Sequence, residues 1–268
     1  MSTSGRADSK DELWVCQLGT VPYRCAVAIQ EQIRRRRLTG ELPDTLLLLE
    51  HPRVYTRGRR SREGELPLGE DFYRALGIDV VATDRGGRIT YHGPGQLVGY
   101  PVMRIDAVDR YLRAMEGAIA AALAEQGIVA RGRPQDGADY TGVWVGERKI
   151  ASIGVHVSRA ITTHGFAVNV DNDLQPFSWV VACGLPGVQM TSIAQELGAS
   201  DAPRLTCFRK EMAYRFCEAH GRRARVVSPA RLGIDAPIAA APGGSRAFAV
   251  APAGGATGDR NALQAVPA

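Results

Sequence analysis

The stretch GERKIASIGVHVSRAITTHGFAVNV, residues 146–170, predicts two long antiparallel strands joined by a tight turn. β-Branched and other apolar residues fill both halves, and the polar residues between them contain the turn. If the turn centres near Ala160, His156 and His164 lie opposite one another on the two strands. Such a hairpin implies a sheet built largely from antiparallel pairs.

The spacing of apolar residues along the rest of the chain predicts further strands and three helices. The strands cover residues 13–17, 45–50, 79–83, 97–103, 142–145, 148–157 and 164–170. The helices cover residues 23–36, residues 107–126 and a segment that carries Phe208, Met212 and Phe216 and ends near Gly221. Together they predict an α+β fold, a mixed, largely antiparallel sheet with packed helices.

Composition divides the chain into three parts. Residues 1–12 are polar and predict a disordered leader, residues 13–232 carry the pattern of one folded domain, and residues 233–268, rich in Ala, Pro and Gly, predict a disordered tail. The leader lacks the apolar core of a secretory signal, and no apolar run approaches the length of a membrane-spanning helix. We therefore expect a cytoplasmic protein that does not enter a membrane.

The net charge is +5, from 33 basic and 28 acidic residues. The basic residues are scattered rather than interleaved with aromatics, which argues against a nucleic-acid-binding protein, whereas an acidic protein partner suits this charge. Only three of the basic residues are lysines, Lys10, Lys149 and Lys210. Because lysine can release its proton in a protein and arginine cannot, Lys149, at the start of a predicted strand, is the candidate for acid–base chemistry.

The five cysteines form no CxxC pair, so neither a disulfide framework nor a structural zinc site is expected. Four of them fall inside predicted strands or helices, where a buried structural role is usual: Cys16, Cys25, Cys207 and Cys217. Cys183 differs, because it leaves an apolar run and enters the turn-forming residues GLPG. It is the candidate nucleophile, with a structural role as the alternative, and a nearby ammonium such as Lys149 would favour its thiolate.

Residues 84–96, DRGGRITYHGPGQ, contain four glycines and predict an irregular loop rather than a regular element. Glycine lets backbone approach a ligand closely, and the amides of such a loop can receive an anion or an oxyanion. A plain surface loop is the alternative. The pattern is not GxxxxGK[ST], which excludes a phosphate-binding P-loop.

Small residues recur along the long hairpin and leave room above the sheet for a slender ligand: Ser152, Gly154, Gly165 and Ala167. The alternative is an ordinary hairpin with two half-buried histidines. Histidine and cysteine are also metal ligands, but no short HxH or HExxH spacing supports a metal site.

Several long motifs resemble the signatures of the lipoyl(octanoyl) transferase family, in that family's order. They are EHPRVYT (residues 50–56), RGGRITYHGPGQLVGYP (85–101), GERKIASIG (146–154), HGFAVN (164–169) and ACGL (182–185), and the resemblance covers roughly residues 13–197. Several separate motifs in the correct order are far more specific than any single pattern.

The resemblance implies the fold shared by biotin and lipoate protein ligases, and chemistry without a cofactor or a metal. It implies that Cys183 takes an octanoyl chain as a thioester and that Lys149 tunes this cysteine and handles protons. It also implies an acyl site lined by Arg85, Gly86, Gly87, Arg88, Ile89, Thr90, Tyr91, His92, Ser152, Ile153, Gly154, His156, Gly165, Phe166 and Ala167.

The partners implied are octanoyl-acyl carrier protein as the donor and, as acceptors, the lipoyl domains of 2-oxoacid dehydrogenase E2 subunits and the glycine cleavage H protein. Transfer of the octanoyl group to a lysine of these proteins would be the first step of protein lipoylation. Exchange of one thioester for another needs no ATP.

One departure from the family pattern lies after Thr56, where Arg57-Gly58-Arg59-Arg60 replaces a usual Leu-Gly-Arg, and it bears on the pocket entrance. Two rival functions remain. An ATP-dependent lipoate or biotin ligase has the same fold but needs no cysteine nucleophile, so the pairing of Cys183 with Lys149 favours the transferase. A catalytically silent binder of a carrier protein or nucleic acid gives no reason for either residue.

Overall fold

The computed structural model describes residues 11–198 and 205–234. Most of the predicted leader, residues 1–10, and of the predicted tail, residues 235–268, lies outside the described residues. Glu12, placed in the leader by the sequence, begins the first strand, and Ile234 is buried at 8% exposure.

The helices are interspersed among the strands along the described residues. The strands are β1 (Glu12–Thr20), β2 (Thr45–Glu50), β3 (Val54–Arg57), β4 (Asp79–Ala82), β5 (Ile89–His92), β6 (Gln96–Val102), β7 (Arg131–Gly132), β8 (Gly142–Val145), β9 (Arg148–Ser158), β10 (Ile161–Asn169), β11 (Gln189–Met190) and β12 (Arg223–Val226). The helices are α1 (Tyr23–Leu38), α2 (Glu70–Ala75), α3 (Val108–Ala124), α4 (Ile193–Leu197) and α5 (Leu205–Ala219).

The main sheet has the strand order β12-β1-β2-β6-β10-β9-β8-β7, and β11 pairs with β9 outside this path. The pairs from β2 to β7 are antiparallel, whereas β1 is parallel to both β2 and β12. The prediction of an α+β fold with a mixed, largely antiparallel sheet is therefore confirmed.

The main sheet is covered by helices on both faces. In β2, Leu46 and Leu48 pack with the residues of α3 and α5, while Leu47 and Leu49 pack with those of α1. Successive residues of a strand point to opposite faces, so a strand buried on both faces is apolar throughout. This explains the uninterrupted run of four leucines.

A second sheet of three strands, in the order β4-β3-β5, lies beside the first. It corrects the prediction that residues 84–96 contain no regular element, because β5 and the start of β6 both fall within them. The four residues of β5 are all buried, and they pair in register with residues 54–57 of β3. Pairing with a partner distant in sequence outweighs the local tendency of a glycine-rich segment to remain irregular.

None of the helices in the described ranges combines the length and the apolar character that a membrane crossing requires.

The contact between β6 and β10 depends on a residue without a side chain. A methyl group added at Gly165 would overlap the carbonyl oxygen of Gly99 and lie 2.5 Å from Cδ of Pro101. We expect Gly165→Ala to lower the free energy of unfolding by about 1–3 kcal/mol, because the two strands would have to move apart. Urea denaturation measures this change.

Gly117→Ala is the matched control, because Gly117 is exposed in α3 and an added methyl group would have no atom within 4 Å. It should raise the free energy of unfolding by about 0.5–1 kcal/mol, the usual gain for alanine over glycine in a helix. Equal stability of the Gly165→Ala protein and the wild type would contradict the close approach of the strands.

A buried histidine joins the start of α1 to the main sheet. His51 is fully buried, its Nδ1–H donates to the carbonyl of Val21 at 2.6 Å, and its Nε2 accepts from the hydroxyl of Tyr100 at 2.7 Å. Burial lowers the pKa of His51 to about 4, and the bond to Val21 offsets this only in part.

This histidine makes stability depend on pH. Its pKa is about 6.5 in the unfolded chain, so between pH 6.5 and 4 the unfolded state binds a proton that the folded state does not. The free energy of unfolding should fall by about 1.4 kcal/mol for each pH unit over that window. Urea titrations of the wild type and of His51→Gln test this, and an unchanged slope in the variant would contradict it.

Candidate functional site

A cavity of about 280 Å³ opens between β9, β10, residues 85–92 and the turn that contains Cys183. Thirteen of the fifteen residues predicted to line an acyl site lie in its wall: Arg85, Gly86, Gly87, Arg88, Ile89, Thr90, His92, Ser152, Ile153, Gly154, Gly165, Phe166 and Ala167. Lys149 and Cys183 lie in the same wall, so the fold brings together two residues that are 34 positions apart.

Cys183 lies in a single 3-10 turn, Ala182–Gly184, with a left-handed backbone at φ 57° and ψ 10°. This conformation is unusual for a residue other than glycine, and such strain is concentrated at functional sites. The cysteine is partly exposed, and its Sγ is 3.8 Å from Oγ of Ser152. The turn therefore presents the sulfur to the cavity beside β9.

The side chain of Arg88 packs against the turn that contains Cys183. A methyl group added at Gly184 would overlap its Cδ and Nε, so the arginine packs directly against the turn. Its guanidinium donates to Glu65 at 2.8 Å and is 3.6 Å from Asp139, while the Glu65 carbonyl accepts from the amide of Val181 at 3.1 Å. Side-chain and backbone contacts thus tie the turn to two neighbouring loops.

Lys149 is almost completely buried, with 1% of its surface exposed. Its Nζ lies 5.1 Å from the centre of the Trp144 ring, a distance at which an ammonium is attracted to an aromatic face. The carboxylate of Glu116 in α3 accepts a hydrogen bond from the amide of Gly142 at 3.1 Å. Burial raises the pKa of Glu116, while Gly142, Arg113 and Lys149 act in the opposite direction.

The small residues of the hairpin form two cross-strand pairs, Ser152 with Ala167 and Gly154 with Gly165. Directly opposed residues of an antiparallel pair share a face, and residues two apart on a strand do as well. The pairs therefore lie in a row along the cavity.

The two hairpin histidines do not lie opposite one another as predicted. The turn has two residues, Arg159 and Ala160, so His156 pairs with Thr163 and His164 pairs with Val155. The register differs by one residue because Ser158 pairs directly with Ile161.

Both histidines nevertheless meet at Asp84, which is 2.8 Å from Nε2 of His164 and 3.6 Å from Nε2 of His156. The backbone of His164 is left-handed, at φ 57°, which interrupts the alternation of faces along β10. Burial lowers the pKa of His164, and the carboxylate of Asp84 opposes this effect. His164 lines the cavity.

Two residues predicted at the site do not lie in the cavity wall. His156 is half-buried and contacts Asp84 instead. The ring of Tyr91 lies on the other face of β5, where it packs at 5.5 Å from Tyr55 and 5.4 Å from Phe177. Successive side chains of β5 point to opposite faces of the strand. Because Thr90 and His92 face the cavity, Tyr91 between them faces away from it.

Several wall residues could not be recognised from the sequence. Tyr23, Tyr100 and His164 surround one region of the cavity, and the Tyr23 hydroxyl is 3.5 Å from Nδ1 of His164. Val108 and Leu112 of α3 add an apolar side. Tyr100 and His164 fall within the family motifs but were not predicted to line the site, whereas Tyr23, Val108 and Leu112 lie outside every motif and reach the cavity only through the packing of α1 and α3.

Arg85 is a buried cation whose bonds in this region go to neutral oxygens. It donates to both oxygens of Thr56, at 2.6 and 2.7 Å, and to the carbonyls of Gly86 and Arg88, at 2.9 and 2.7 Å. Its burial lowers its pKa. These bonds hold residues 85–88 against β3, and the amide of Gly86 donates to Val155 of β9 at 2.9 Å.

The remaining cysteines differ from Cys183. Burial raises the pKa of Cys16 and of Cys217 to about 11, and it also raises that of Cys25. Cys207 is exposed on α5, so the expectation that it is buried was wrong; its position on the outer side of the helix is the reason. All five thiols are free.

Across residues 11–198 and 205–234, no three histidine, cysteine, aspartate or glutamate side chains form a group that could hold a metal ion.

Comparison with known sequences finds a consistent set of relatives. The family model described as the lipoyl protein ligase A/B catalytic domain matches residues 22–216. The octanoyltransferase of Rubrobacter xylanophilus is 48% identical over 184 residues, 67% of this chain and 81% of the relative. That of Solibacter usitatus is 50% identical over 173 residues, 63% of this chain and 77% of the relative.

Solved structures agree on the fold. A lipoate-protein ligase A bound with ATP superposes with a TM-score of 0.65 at 18% identity, over 82% of this chain and 89% of that one. A putative lipoate protein ligase from Thermoplasma acidophilum gives 0.64 at 18% identity, over 81% and 88%. At this identity the likeness establishes the fold alone, and the predicted lipoate protein ligase fold is confirmed.

The packing of Arg88 on Gly184 leads to a test of the cysteine turn. In Gly184→Ala the added methyl group must displace Arg88, so the turn that contains Cys183 should shift from its position in the cavity wall. We expect alkylation of Cys183 by iodoacetamide at pH 7 to slow by about tenfold or more, because thiolate reactivity depends on nearby positive charge. Peptide mass spectrometry measures the rate, with exposed Cys207 as the internal reference.

Gly187→Ala is the control, because Gly187 also has a positive φ, at 76°, but has space for a methyl group. It carries the same backbone cost without the overlap with Arg88, and it should leave the alkylation rate within about twofold of the wild type. If both variants slow alkylation equally, the contact with Arg88 does not position the cysteine.

Proposed function

The chain belongs to the family of lipoyl protein ligase A/B catalytic domains, and we propose that it is an octanoyltransferase that carries the octanoyl group as a thioester on Cys183. Residues 13–232 form the catalytic domain of this proposal. The donor is octanoyl-acyl carrier protein, and the acceptor is a lysine of a lipoyl domain.

One observation carries this proposal: Cys183, on a strained turn, shares the wall of a single cavity with the buried Lys149. A cysteine beside an ammonium has the arrangement of an activated nucleophile. An enzyme that activates its acid with ATP has no need of it. The pair therefore favours acyl transfer through the cysteine over the ligase chemistry found on the same fold.

In the first half-reaction the Cys183 thiolate attacks the carbonyl carbon of the donor thioester. The new carbon–sulfur bond forms, the bond to the carrier sulfur breaks, and the carrier leaves as a thiol after receiving a proton. Backbone amides of the cavity wall are suited to stabilise the oxyanion of this step. The ammonium of Lys149 supplies the proton to the leaving thiolate of the carrier.

In the second half-reaction the amine of the acceptor lysine attacks the thioester on Cys183. An amide bond forms, the bond to Cys183 breaks, and the thiolate is regenerated. The amine must lose a proton during this step, and Lys149 is placed to take it up. Amide formation from a thioester is downhill, so the sequence needs no ATP and follows a ping-pong scheme.

The cavity next to the nucleophile suits a slender acyl chain. Its wall combines Cys183 with Ser152 and Ala167, whose side chains are small, and with the apolar residues Val108 and Leu112 of α3. An octanoyl chain with its carbonyl beside Cys183 can therefore extend into the cavity.

The acceptors of this proposal are the lipoyl domains of 2-oxoacid dehydrogenase E2 subunits and the glycine cleavage H protein. A structure related in fold contains a bi-partite lipoate protein ligase and its E2 lipoyl domain from Thermoplasma acidophilum, with a TM-score of 0.61 at 19% identity. Transfer to such a lysine is the first step of protein lipoylation. The location that goes with this proposal is the cytoplasm.

The direct test is to incubate the protein with octanoyl-acyl carrier protein without ATP and to record intact and peptide mass spectra. We expect an octanoyl adduct on Cys183 that hydroxylamine removes, and no adduct in Cys183→Ser. Octanoyl transfer to a lipoyl domain that persists in Cys183→Ser would show that the nucleophile is wrongly assigned and would favour the ligase-like alternative.

Two variants separate the charge of Lys149 from its ability to exchange a proton. Lys149→Arg keeps the charge but cannot release a proton, whereas Lys149→Met loses both. We expect both to slow turnover by about 10²–10⁴-fold, the usual contribution of an acid–base group, and Lys149→Arg to retain faster alkylation of Cys183 than Lys149→Met. Thermal unfolding of each variant controls for loss of the fold.

A further inference from the structure

The segment that departs from the family pattern is unusually basic. Arg57, Arg59, Arg60 and Arg62 alternate with Gly58 and Ser61 over six residues, with no acidic residue among them. The chemistry proposed for Cys183 uses none of them. We call residues 57–62 the arginine segment.

The arginine segment is held rigidly against the cavity wall. The amides of Arg59 and Arg60 donate to the carbonyls of Arg85 and Gly87, both at 3.0 Å. A methyl group added at Gly58 would overlap the carbonyl oxygen of Gly87, so the two backbones are in close contact. Because residues 85–88 form part of the wall, the segment lies at the mouth of the cavity.

Two arginines of the segment are paired and two are not. Arg57 forms an ion pair with Glu70 at 3.4 Å, and Arg60, itself part of the cavity wall, forms one with Asp139 at 3.0 Å. Arg59 and Arg62 are exposed and make no salt bridge within the described part of the chain. The mouth therefore presents two positive charges that the protein itself does not neutralise.

We propose that Arg59 and Arg62 dock an acidic surface of the carrier protein that donates the octanoyl group. This proposal rests on the octanoyltransferase function and assigns a surface to its donor. Positive charge at the mouth attracts an acidic protein over a distance of about 10 Å at moderate salt, and it orients that protein so that its acyl thioester faces Cys183.

The position of the charges favours the carrier over a free anion. Arg59 and Arg62 point to solvent, whereas a site for a small anion would need charged or polar groups that are themselves buried around it. An acidic protein surface instead covers exposed charges at the edge of a contact, where they act mainly on the rate of association.

The test compares Arg59→Glu/Arg62→Glu with a matched control, Lys210→Glu/Arg223→Glu. Lys210 and Arg223 are exposed on α5 and on β12, an edge strand of the main sheet, and their replacement changes the net charge by the same amount. Each protein is assayed with octanoyl-acyl carrier protein and with octanoyl-pantetheine, an uncharged thioester without a protein. The rate of thioester formation on Cys183 is measured at several salt concentrations.

We expect Arg59→Glu/Arg62→Glu to raise KM for octanoyl-acyl carrier protein by about tenfold or more at low salt, and the difference to shrink as salt is added. Its rate with octanoyl-pantetheine should match that of the wild type, and the control pair should behave as the wild type with both donors. Rescue of the interaction by charge-reversed residues on the carrier would identify the contact further.

Three results would overturn the docking surface. They are an equal loss with both thioesters, an equal loss in the control pair, and an unchanged KM of Arg59→Glu/Arg62→Glu for octanoyl-acyl carrier protein at low salt. Failure of the proposed function looks different, because the wild type would then form no thioester on Cys183 even with octanoyl-pantetheine.

Discussion

The pairing of β9 with β10 is the interaction on which the remainder of the site depends. It sets two pairs of small residues, Ser152–Ala167 and Gly154–Gly165, on one face of the sheet. Without large side chains there, β6 can approach β10 closely, and residues 85–88 can dock on β9 through Gly86. The absence of side chains at Gly154 and Gly165 therefore lets β6 pack closely against β10 and lets residues 85–88 close over β9.

The charged side chains around the cavity are held in fixed positions by their contacts. The Cys183 turn, with its left-handed backbone, is held by Arg88, and Arg88 is in turn neutralised by Glu65 and Asp139. Lys149 is buried against Trp144 rather than held on a flexible exposed chain. In the proposed reaction, such preorganisation lets Cys183 and Lys149 act without rearrangement at the moment of reaction.

The exposed arginines at the cavity mouth and the arginines of the cavity wall have different roles. Buried charges such as Arg85 and Arg88 make several short hydrogen bonds and hold loops together. Exposed charges such as Arg59 are screened by salt and add little to stability. The role proposed for them is in the approach of a charged partner, so one segment contributes backbone to the cavity wall and exposed charges to the surface.

The sequence by itself determined the α+β class, the long hairpin, the family motifs and most of the cavity wall, because alternation, helical spacing and long motifs are local signals. Only the tertiary structure decided that residues 89–92 form a strand, that Tyr91 turns away from the cavity, and that His156 pairs with Thr163. It also added Tyr23, Tyr100 and Leu112 to the wall. These features depend on contacts with residues far away in the chain. They also depend on the pairing register of the strands, where a shift of one residue moves a side chain to the other face of the sheet. A local sequence pattern contains neither kind of information.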